Sequence, residues 1–310
     1  MPEGNEIHRW AERHTVAFVG RPVRVDGPQG RFVDSDVLDG RKLVRVMAVG
    51  KHLGYDFGKD RILHVHLGLQ GDFTEGSGAL PAVRGALRLR MWREGKLHSA
   101  IHRNPTLAPK GGREDGPPAE VSTRHGWYSD DDGTGGIEAK DVAWVELRGP
   151  MDCSVYTQAM WKKLLARLGP DPLNGDKPDK AFAKIAKSKK PIAALLMEQD
   201  VIAGVGNIYR AELLFRARLS PFVLGMDVPV EVLKKIWKDV GPLMRAGMVD
   251  RRIVTTLAKD RPHKTGQALK EEAHYVYRRN GKDCFVCGTK VRKMENFAGR
   301  SLYWCPVCQG

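Results

Sequence analysis

The chain has 310 residues, 42% hydrophobic and 28% charged, enough to bury a sizeable core in two or three domains. No window approaches 18 uninterrupted apolar residues, which argues against a membrane-spanning helix, and the opening MPEGNEIHRW lacks the apolar stretch of a secretory signal. The net charge of +14 is unevenly placed: residues 1–150 carry 22 basic and 21 acidic side chains, residues 151–310 carry 29 and 16, so the second half is expected to hold a polyanion.

From Glu3 to Phe18, Ile7, Trp10, Ala11, His14 and Phe18 fall at near-helical spacing and predict one amphipathic helix. Short β-branched segments follow at Arg24–Val25, Lys42–Val49, His52–Phe57, Ile62–Leu69, Leu87–Trp92, Leu97–Ile101 and Val142–Leu147. Glycines punctuate them, the pattern of a sandwich or barrel. Residues 104–139, rich in Gly, Pro and Asp, read as a long surface insertion.

From Tyr156 the period becomes helical. A helix is expected over Met160–Leu168, stopped by Gly169-Pro170-Asp171-Pro172, which makes a hinge. Further helices are expected over Lys180–Ala186, Pro191–Gln199 with Pro191 at the first helical position, Ile208–Ala217 and Val230–Gly247. Residues 250–275 read as a basic loop with some helix. The fold class is α+β and multidomain: an N-terminal β-sandwich with flanking helices (2–168), a helical domain (169–274) and a small cysteine-bearing module (275–310).

That module carries the sharpest spacing in the chain. Cys284-x2-Cys287, seventeen residues, then Cys305-x2-Cys308 can place four thiolates tetrahedrally around one Zn2+. Four protein ligands leave no open position, so such a zinc would be structural; two disulfides or an iron–sulfur centre are the other readings. Crowding of four cysteines into the last 27 residues suits a reducing, cytoplasmic setting. Cys153 stands apart as a buried, idle thiol. Arg300 follows Gly299 at the expected hairpin tip, either to reach a phosphate or simply to be solvated.

Pro2 would become a free secondary amine on removal of Met1. An α-amino group titrates near pH ~8, so a useful fraction is unprotonated at neutral pH and able to attack a sugar C1′. Glu3 beside it could move protons to the leaving base, the ring oxygen or C2′. Pro-Glu is equally an ordinary way to start a helix.

The two ends and the segments between them resemble the formamidopyrimidine-DNA glycosylase / endonuclease VIII family. Met1–Ile7 (MPEGNEI) resembles the family's start, in the Pro-Glu-Gly form of the endonuclease VIII branch. Val49–Leu53 (VGKHL) is similar to the segment with its β-hairpin lysine, His66–Gly71 (HLGLQG) to its intercalation loop, and Leu168–Leu173 (LGPDPL) to its interdomain hinge. Met197–Phe215 (MEQDVIAGVGNIYRAELLF) resembles the helix–two-turn–helix signature, and Gly299–Gln309 (GRSLYWCPVCQ) the end of the zinc finger.

The resemblance implies a bifunctional DNA glycosylase and abasic-site lyase of base excision repair. Carried over by position, Pro2 is the Schiff-base nucleophile, Glu3 the proton donor, Glu6 a supporting carboxylate, and Lys51 the lysine on phosphate beside the lesion. Asn207 and Arg300 become phosphate contacts, and Leu69 and Gln70 fill the gap left by a flipped nucleotide. In Ala203–Asn207 the two glycines are expected to permit tight backbone turns ahead of a helix whose N-terminus faces an anion. Cys284, Cys287, Cys305 and Cys308 become the ligands of one structural zinc, with no organic cofactor. The partner is damaged DNA, with no membrane; the chain is expected to be a monomer, cytoplasmic, and nucleoid-associated in a bacterium.

Oxidised pyrimidines are the expected substrates, from the Pro-Glu-Gly start and the lack of an Asp-Pro-Arg-Arg-Phe-like stretch near residues 90–120. Asn5 stands where the family often has Pro, and Gly71 where further bulk is expected after the gap-filling pair. A non-catalytic DNA-binding protein keeping the same clamp is the alternative, and intact Pro2, Glu3 and Lys51 count against it. A zinc-ribbon module serving RNA would leave the N-terminal motif idle.

Overall fold

The computed structural model describes residues 2–93 and 137–310. The expected strand Leu97–Ile101, and the insertion as far as residue 136, lie outside the described residues. The chain separates into two compact units: Arg13–Val46 with Tyr55–Val155, and Pro2–Glu12 with Met47–Gly54 and Tyr156–Gly310.

In chain order the first half forms α1 (Gly4–Phe18), β1 (Pro22–Asp26), α2 (Ser35–Leu38), β2 (Arg41–Lys42), β3 (Arg45–Val49), β4 (His52–Asp56), β5 (Ile62–His66) and β6 (Asp72–Gly76). It continues with β7 (Leu87–Arg93), β8 (Trp144–Arg148) and β9 (Asp152–Tyr156). Five strands make an antiparallel sheet in the order β2-β1-β7-β8-β6, with Val25 opposite Met91, Met91 opposite Val145 and Phe73 opposite Leu147. A four-stranded sheet runs β3-β4-β5-β9. The two sheets realise the expected sandwich. In β1 burial alternates, with Val23 and Val25 inward, whereas β5 and β8 are each buried at four consecutive positions, as strands covered on both faces are. β6 and β9 are not among the expected strands: Asp72–Gly76 offers a single large apolar residue, Phe73, whereas Asp152–Tyr156 alternates Cys153 and Val155 with Asp152 and Ser154 over only five residues. His14, read as part of the apolar stripe of α1, is a core residue: its Nδ1 lies 2.7 Å from Tyr55 Oη, and its ring meets Phe73 edge-on at 5.0 Å.

The second unit carries α3 (Gln158–Ala166), α4 (Asp179–Ile185), α5 (Ile192–Leu195), α6 (Asn207–Ala217), α7 (Val230–Val249) and the hairpin β10 (Arg292–Phe297)–β11 (Arg300–Trp304). Thr157 caps α3, its Oγ1 accepting the Met160 N–H at 3.1 Å. The helix expected over Pro191–Gln199 holds only for Ile192–Leu195, with Pro191 as its N-cap. Gln199, beyond its end, braces the following loop: its Oε1 accepts the Gly204 N–H at 3.0 Å and its Nε2 donates to Val205 O at 2.8 Å.

One apolar cluster runs from the helices into the cysteine-bearing module, joining Ile192, Val201, Tyr209, Leu213, Val240 and Met244 to Val276, Leu302 and Cys305. The fully buried Glu212 carboxylate pins the start of that module. It accepts the N–H groups of Tyr275 (2.7 Å), Val276 (2.9 Å) and Tyr277 (2.8 Å) and the Thr255 hydroxyl. A buried carboxylate is tolerable when this fully hydrogen-bonded.

Candidate active site

Pro2, Glu3, Glu6, Lys51, Asn207 and Arg300 all belong to the second unit. Glu3 is 1% exposed, just ahead of α1, and its carboxylate closes the N-terminus of α6. Oε1 accepts the Ile208 N–H at 2.7 Å; Oε2 accepts the N–H groups of Gly206 at 3.0 Å and Tyr209 at 3.2 Å. The helix dipole and three otherwise unmatched donors therefore meet one carboxylate. The anion expected at this helix N-terminus is supplied by the protein itself.

The glycines before α6 serve two different ends. Gly204 has φ +89, a conformation side chains resist, and its carbonyl accepts the Gly4 N–H at 2.8 Å. Gly206 has an ordinary φ of −126; a Cβ there would lie 2.5 Å from Glu3 Cδ. Space for Glu3, rather than a turn, demands glycine at 206.

Burial raises the Glu3 pKa above the usual carboxylate value, opposed by the positive charge of Lys51 and by the three N–H donors. Burial likewise lowers the Lys51 ammonium, with Glu3 opposing and Arg300 adding to the shift. Glu3, Lys51 and Arg300 thus share one electrostatic environment, and the buried Pro2 precedes Glu3 in the chain. Glu6 stands on α1, half-buried, held by Arg9 through Nε to Oε2 at 3.1 Å and Nη2 to Oε1 at 2.5 Å. Its charge, after burial and Glu3, helps raise the Tyr209 pKa.

Asn207 is the first residue of α6 rather than its cap, and is 6% exposed. Its Nδ2 donates to Ser301 O at 3.1 Å, and its Oδ1 accepts from the Arg210 guanidinium. Arg210, which sequence reading missed, is fully buried and also donates to Ser301 O at 3.1 Å. Burial lowers its pKa to about 10, with Glu3 opposing. The signal for Arg210 was available, since an Arg one turn after Asn207 falls on the same helix face. Arg300 opens β11 directly after Ala298 and Gly299, both at positive φ, so the expected tip position holds.

Leu69 and Gln70 lie in the first unit, on the turn between β5 and β6, closed by the Gly71 N–H to Leu67 O bond of 2.9 Å. Leu69 is 44% exposed, an apolar side chain offered to solvent. A Cβ at Gly71 would sit 2.3 Å from Leu67 O, so the turn itself forbids bulk there.

The four Sγ atoms of Cys284, Cys287, Cys305 and Cys308 lie within 4.8 Å of one another, with Cys284–Cys308 at 3.8 Å and Cys287–Cys305 at 3.4 Å. A tetrahedral ion with metal–sulfur bonds of ~2.3 Å needs edges of about 3.8 Å, so the donor set fits a metal ion. None of the five cysteines is paired in a disulfide, and the Sγ separations of 3.8 and 3.4 Å are those of ligands around one ion. Tight knuckles hold both pairs, through Gly288 N–H to Cys284 O at 2.9 Å and Gln309 N–H to Cys305 O at 3.1 Å. Cys153 is buried elsewhere, its thiol pushed up to about 12 by burial, which keeps it inert.

The N-terminal domain of formamidopyrimidine-DNA glycosylase matches residues 1–104, and the H2TH domain of formamidopyrimidine-DNA glycosylase matches residues 168–258. Endonuclease 8 1 of Mycobacterium tuberculosis is 38% identical over 316 residues, covering 100% of each chain. The chain belongs to the formamidopyrimidine-DNA glycosylase / endonuclease VIII family. By that membership it is a DNA glycosylase with abasic-site lyase activity, acting in base excision repair. Formamidopyrimidine-DNA glycosylase of Thermus thermophilus is 34% identical over 151 residues, 47% of this chain and 55% of its own. Lactococcus lactis Fpg in complex with abasic-site DNA shares the family fold, with a TM-score of 0.69 at 20% identity over 99% of each chain. Among the described residues no helix is long and apolar enough to cross a membrane.

Proposed function

We propose that this glycosylase works through Pro2 as its nucleophile, on damaged DNA, with oxidised pyrimidines as its substrate class. The observation that carries this reading is Glu3: a carboxylate beside Pro2, wholly buried, with a raised pKa, sharing its surroundings with the cations Lys51, Arg210 and Arg300. A carboxyl group that holds its proton at higher pH is suited to protonating a leaving base.

With Met1 removed, the Pro2 nitrogen attacks C1′ while the C1′–base bond breaks and the base leaves with a proton from Glu3. The Glu3 carboxylate takes the proton of the attacking Pro2 N–H and passes it to O4′ as the C1′–O4′ bond opens, which leaves Pro2 joined to C1′ as an iminium. Glu3 then accepts the acidified C2′ proton as the C3′–O bond breaks and the 3′ phosphate departs. Loss of the C4′ proton to water breaks the C5′–O bond and expels the 5′ phosphate. A one-nucleotide gap with phosphate ends results. Lys51 holds the phosphate beside the lesion and stabilises the departing anion. Arg300 and Asn207 grip the flanking backbone, Asn207 within its bridge to Arg210 and Ser301. Leu69 and Gln70 fill the emptied stack. Glu6 supports the carboxylate pocket through its charge near Tyr209.

Cys284, Cys287, Cys305 and Cys308 would hold one Zn2+, which supplies no reaction chemistry but fixes the module carrying Arg300. The oxidised-pyrimidine reading is supported by the Pro-Glu-Gly start and by full-length similarity to an endonuclease 8. The test is borohydride trapping on a duplex with a thymine glycol or an abasic site, using protein with verified Met1 removal. Wild type is expected to form a covalent adduct and Pro2→Gly to form it only in part. No adduct from wild type overturns the mechanism, and equal trapping by Pro2→Gly overturns the assignment of Pro2.

A further inference from the structure

Asp171, in the hinge segment, is 1% exposed, and one of its carboxylate oxygens holds two distant parts of the chain. Oδ2 accepts His8 Nε2 at 2.8 Å and the Gly50 N–H at 2.6 Å; Oδ1 accepts the Leu173 N–H at 2.8 Å. The Asp171 N–H itself donates to Asp176 Oδ2 at 2.9 Å, which fixes the carboxylate's own backbone. His8 is 8% exposed and sits one turn into α1, the helix that follows Pro2 and Glu3 and carries Glu6. Gly50 is the residue before Lys51, at the turn between β3 and β4.

These bonds make a frame. Gly50 has φ +59, and a Cβ there would lie 3.0 Å from Ala203 Cβ, so the turn is seated against the loop that leads into α6. The same loop accepts the Gly4 N–H through Gly204 O at 2.8 Å. The Asn174 side chain adds a bond to Ala48 O at 3.0 Å on the other side of the turn. Hydrogen bonds to a buried charged group are stronger than neutral ones, and the group is costly to leave half-satisfied. A small slip of this frame moves Lys51 relative to Glu3.

We propose that His8 and Asp171 are positioning residues of the reaction: through one carboxylate oxygen they fix the start of α1 and the Lys51 turn in register, so that Lys51 meets the phosphate while Glu3 and Pro2 meet the sugar. This rests on the reading of Pro2, Glu3 and Lys51 given above. Neither residue touches the substrate; each acts through the group it holds. His8 is the informative one, because its role invokes no charge of its own at the phosphate.

The experiment compares full-length His8→Leu, His8→Gln, Asp171→Asn and Lys51→Met, alone and with His8→Leu added to Lys51→Met. Each is followed by single-turnover excision of thymine glycol from duplex DNA, by equilibrium binding and by thermal melting. Misplacement by about 1 Å costs up to ~100-fold in rate, so His8→Leu is expected to slow excision roughly ten- to a hundredfold with binding little changed. His8→Gln, whose amide Nε2 can donate to the same oxygen, is expected to recover most of that loss. Added to Lys51→Met, His8→Leu should cost at most about twofold, because residues acting through one group are not additive. Asp171→Asn is read the same way and carries the test if His8→Leu melts far below wild type. The proposal is overturned by wild-type excision in His8→Leu and Asp171→Asn, by His8→Gln as slow as His8→Leu, or by an equal His8→Leu effect with and without Lys51. Lys51→Met at the wild-type rate would overturn the underlying reading of Lys51 and this proposal with it; a slow Lys51→Met beside an unaffected His8→Leu overturns the tie alone.

Discussion

Gly206→Ala tests the seat of Glu3 with a single methyl group. The backbone at Gly206 (φ −126, ψ −159) is extended and open to alanine, so the substitution acts through space alone. The new Cβ would stand 2.5 Å from Glu3 Cδ, 2.7 Å from Oε1 and 2.8 Å from Cγ. Carbon contacts settle at about 3.5–4.0 Å, so the carboxylate must retreat by about 1 Å, far enough to break its bonds to α6. Overpacking of this kind costs about 1–3 kcal/mol, or roughly 2–12 °C in melting temperature at about 2–4 °C per kcal/mol. A displaced general acid forfeits much of its ~100- to 10,000-fold contribution, so single-turnover excision from a thymine-glycol duplex should fall about 100-fold or more. The control is Glu3→Ala, which removes the atoms the methyl group would strike. Gly206→Ala should then cost no more than about 0.5 kcal/mol of further stability. An equal stability loss in both backgrounds, or excision at the wild-type rate in Gly206→Ala, would refute the reasoning.

Two further predictions concern charge and metal. Burial lowers the Lys51 ammonium from its ordinary 10.5, so the cation is lost as pH rises through that depressed value, earlier than for a free lysine. Cleavage of a preformed abasic duplex should therefore show an alkaline decline that moves to higher pH in Lys51→Arg, whose guanidinium stays charged to pH ~12; coincident declines count against Lys51. The protein should carry one zinc per chain by elemental analysis, and its removal by a chelator should abolish duplex binding together with the fold of residues 275–310. Full binding by metal-free protein would show that the four cysteines do not organise the Arg300 hairpin.

Much of this was legible in the sequence because it is local. The α1 periodicity, the two C-x-x-C pairs and the Gly299-Arg300 tip each depend on neighbours a few residues apart, and the structure places each of them as expected. Long-range ties were not legible. His8 and Asp171 are 163 residues apart and Glu3 and Ile208 are 205 apart, and no spacing rule connects them. Spacing puts Arg210 on the helix face of Asn207, but only tertiary packing leaves Arg210 and Glu212 buried, one as a bridge to β11 and the other as the anchor of residues 275–277. The helix expected through Gln199 ends four residues early, at Leu195, and the Gln199 side chain is committed instead to the loop at Gly204 and Val205, a partner no local spacing reveals.

The sequence by itself determined the family, the order of its functional segments and the chemistry its residue types permit, since nucleophile, acid and thiolate are properties of side chains. Only the tertiary structure decided what each group faces. Glu3 lies against the N-terminus of α6, Asn207 is committed to Arg210 and Ser301, and Gly206 is small for the sake of a carboxylate 203 residues away. Burial and hydrogen bonding, which set whether a group holds its proton, arise where distant segments meet, and a linear chain carries no record of that meeting.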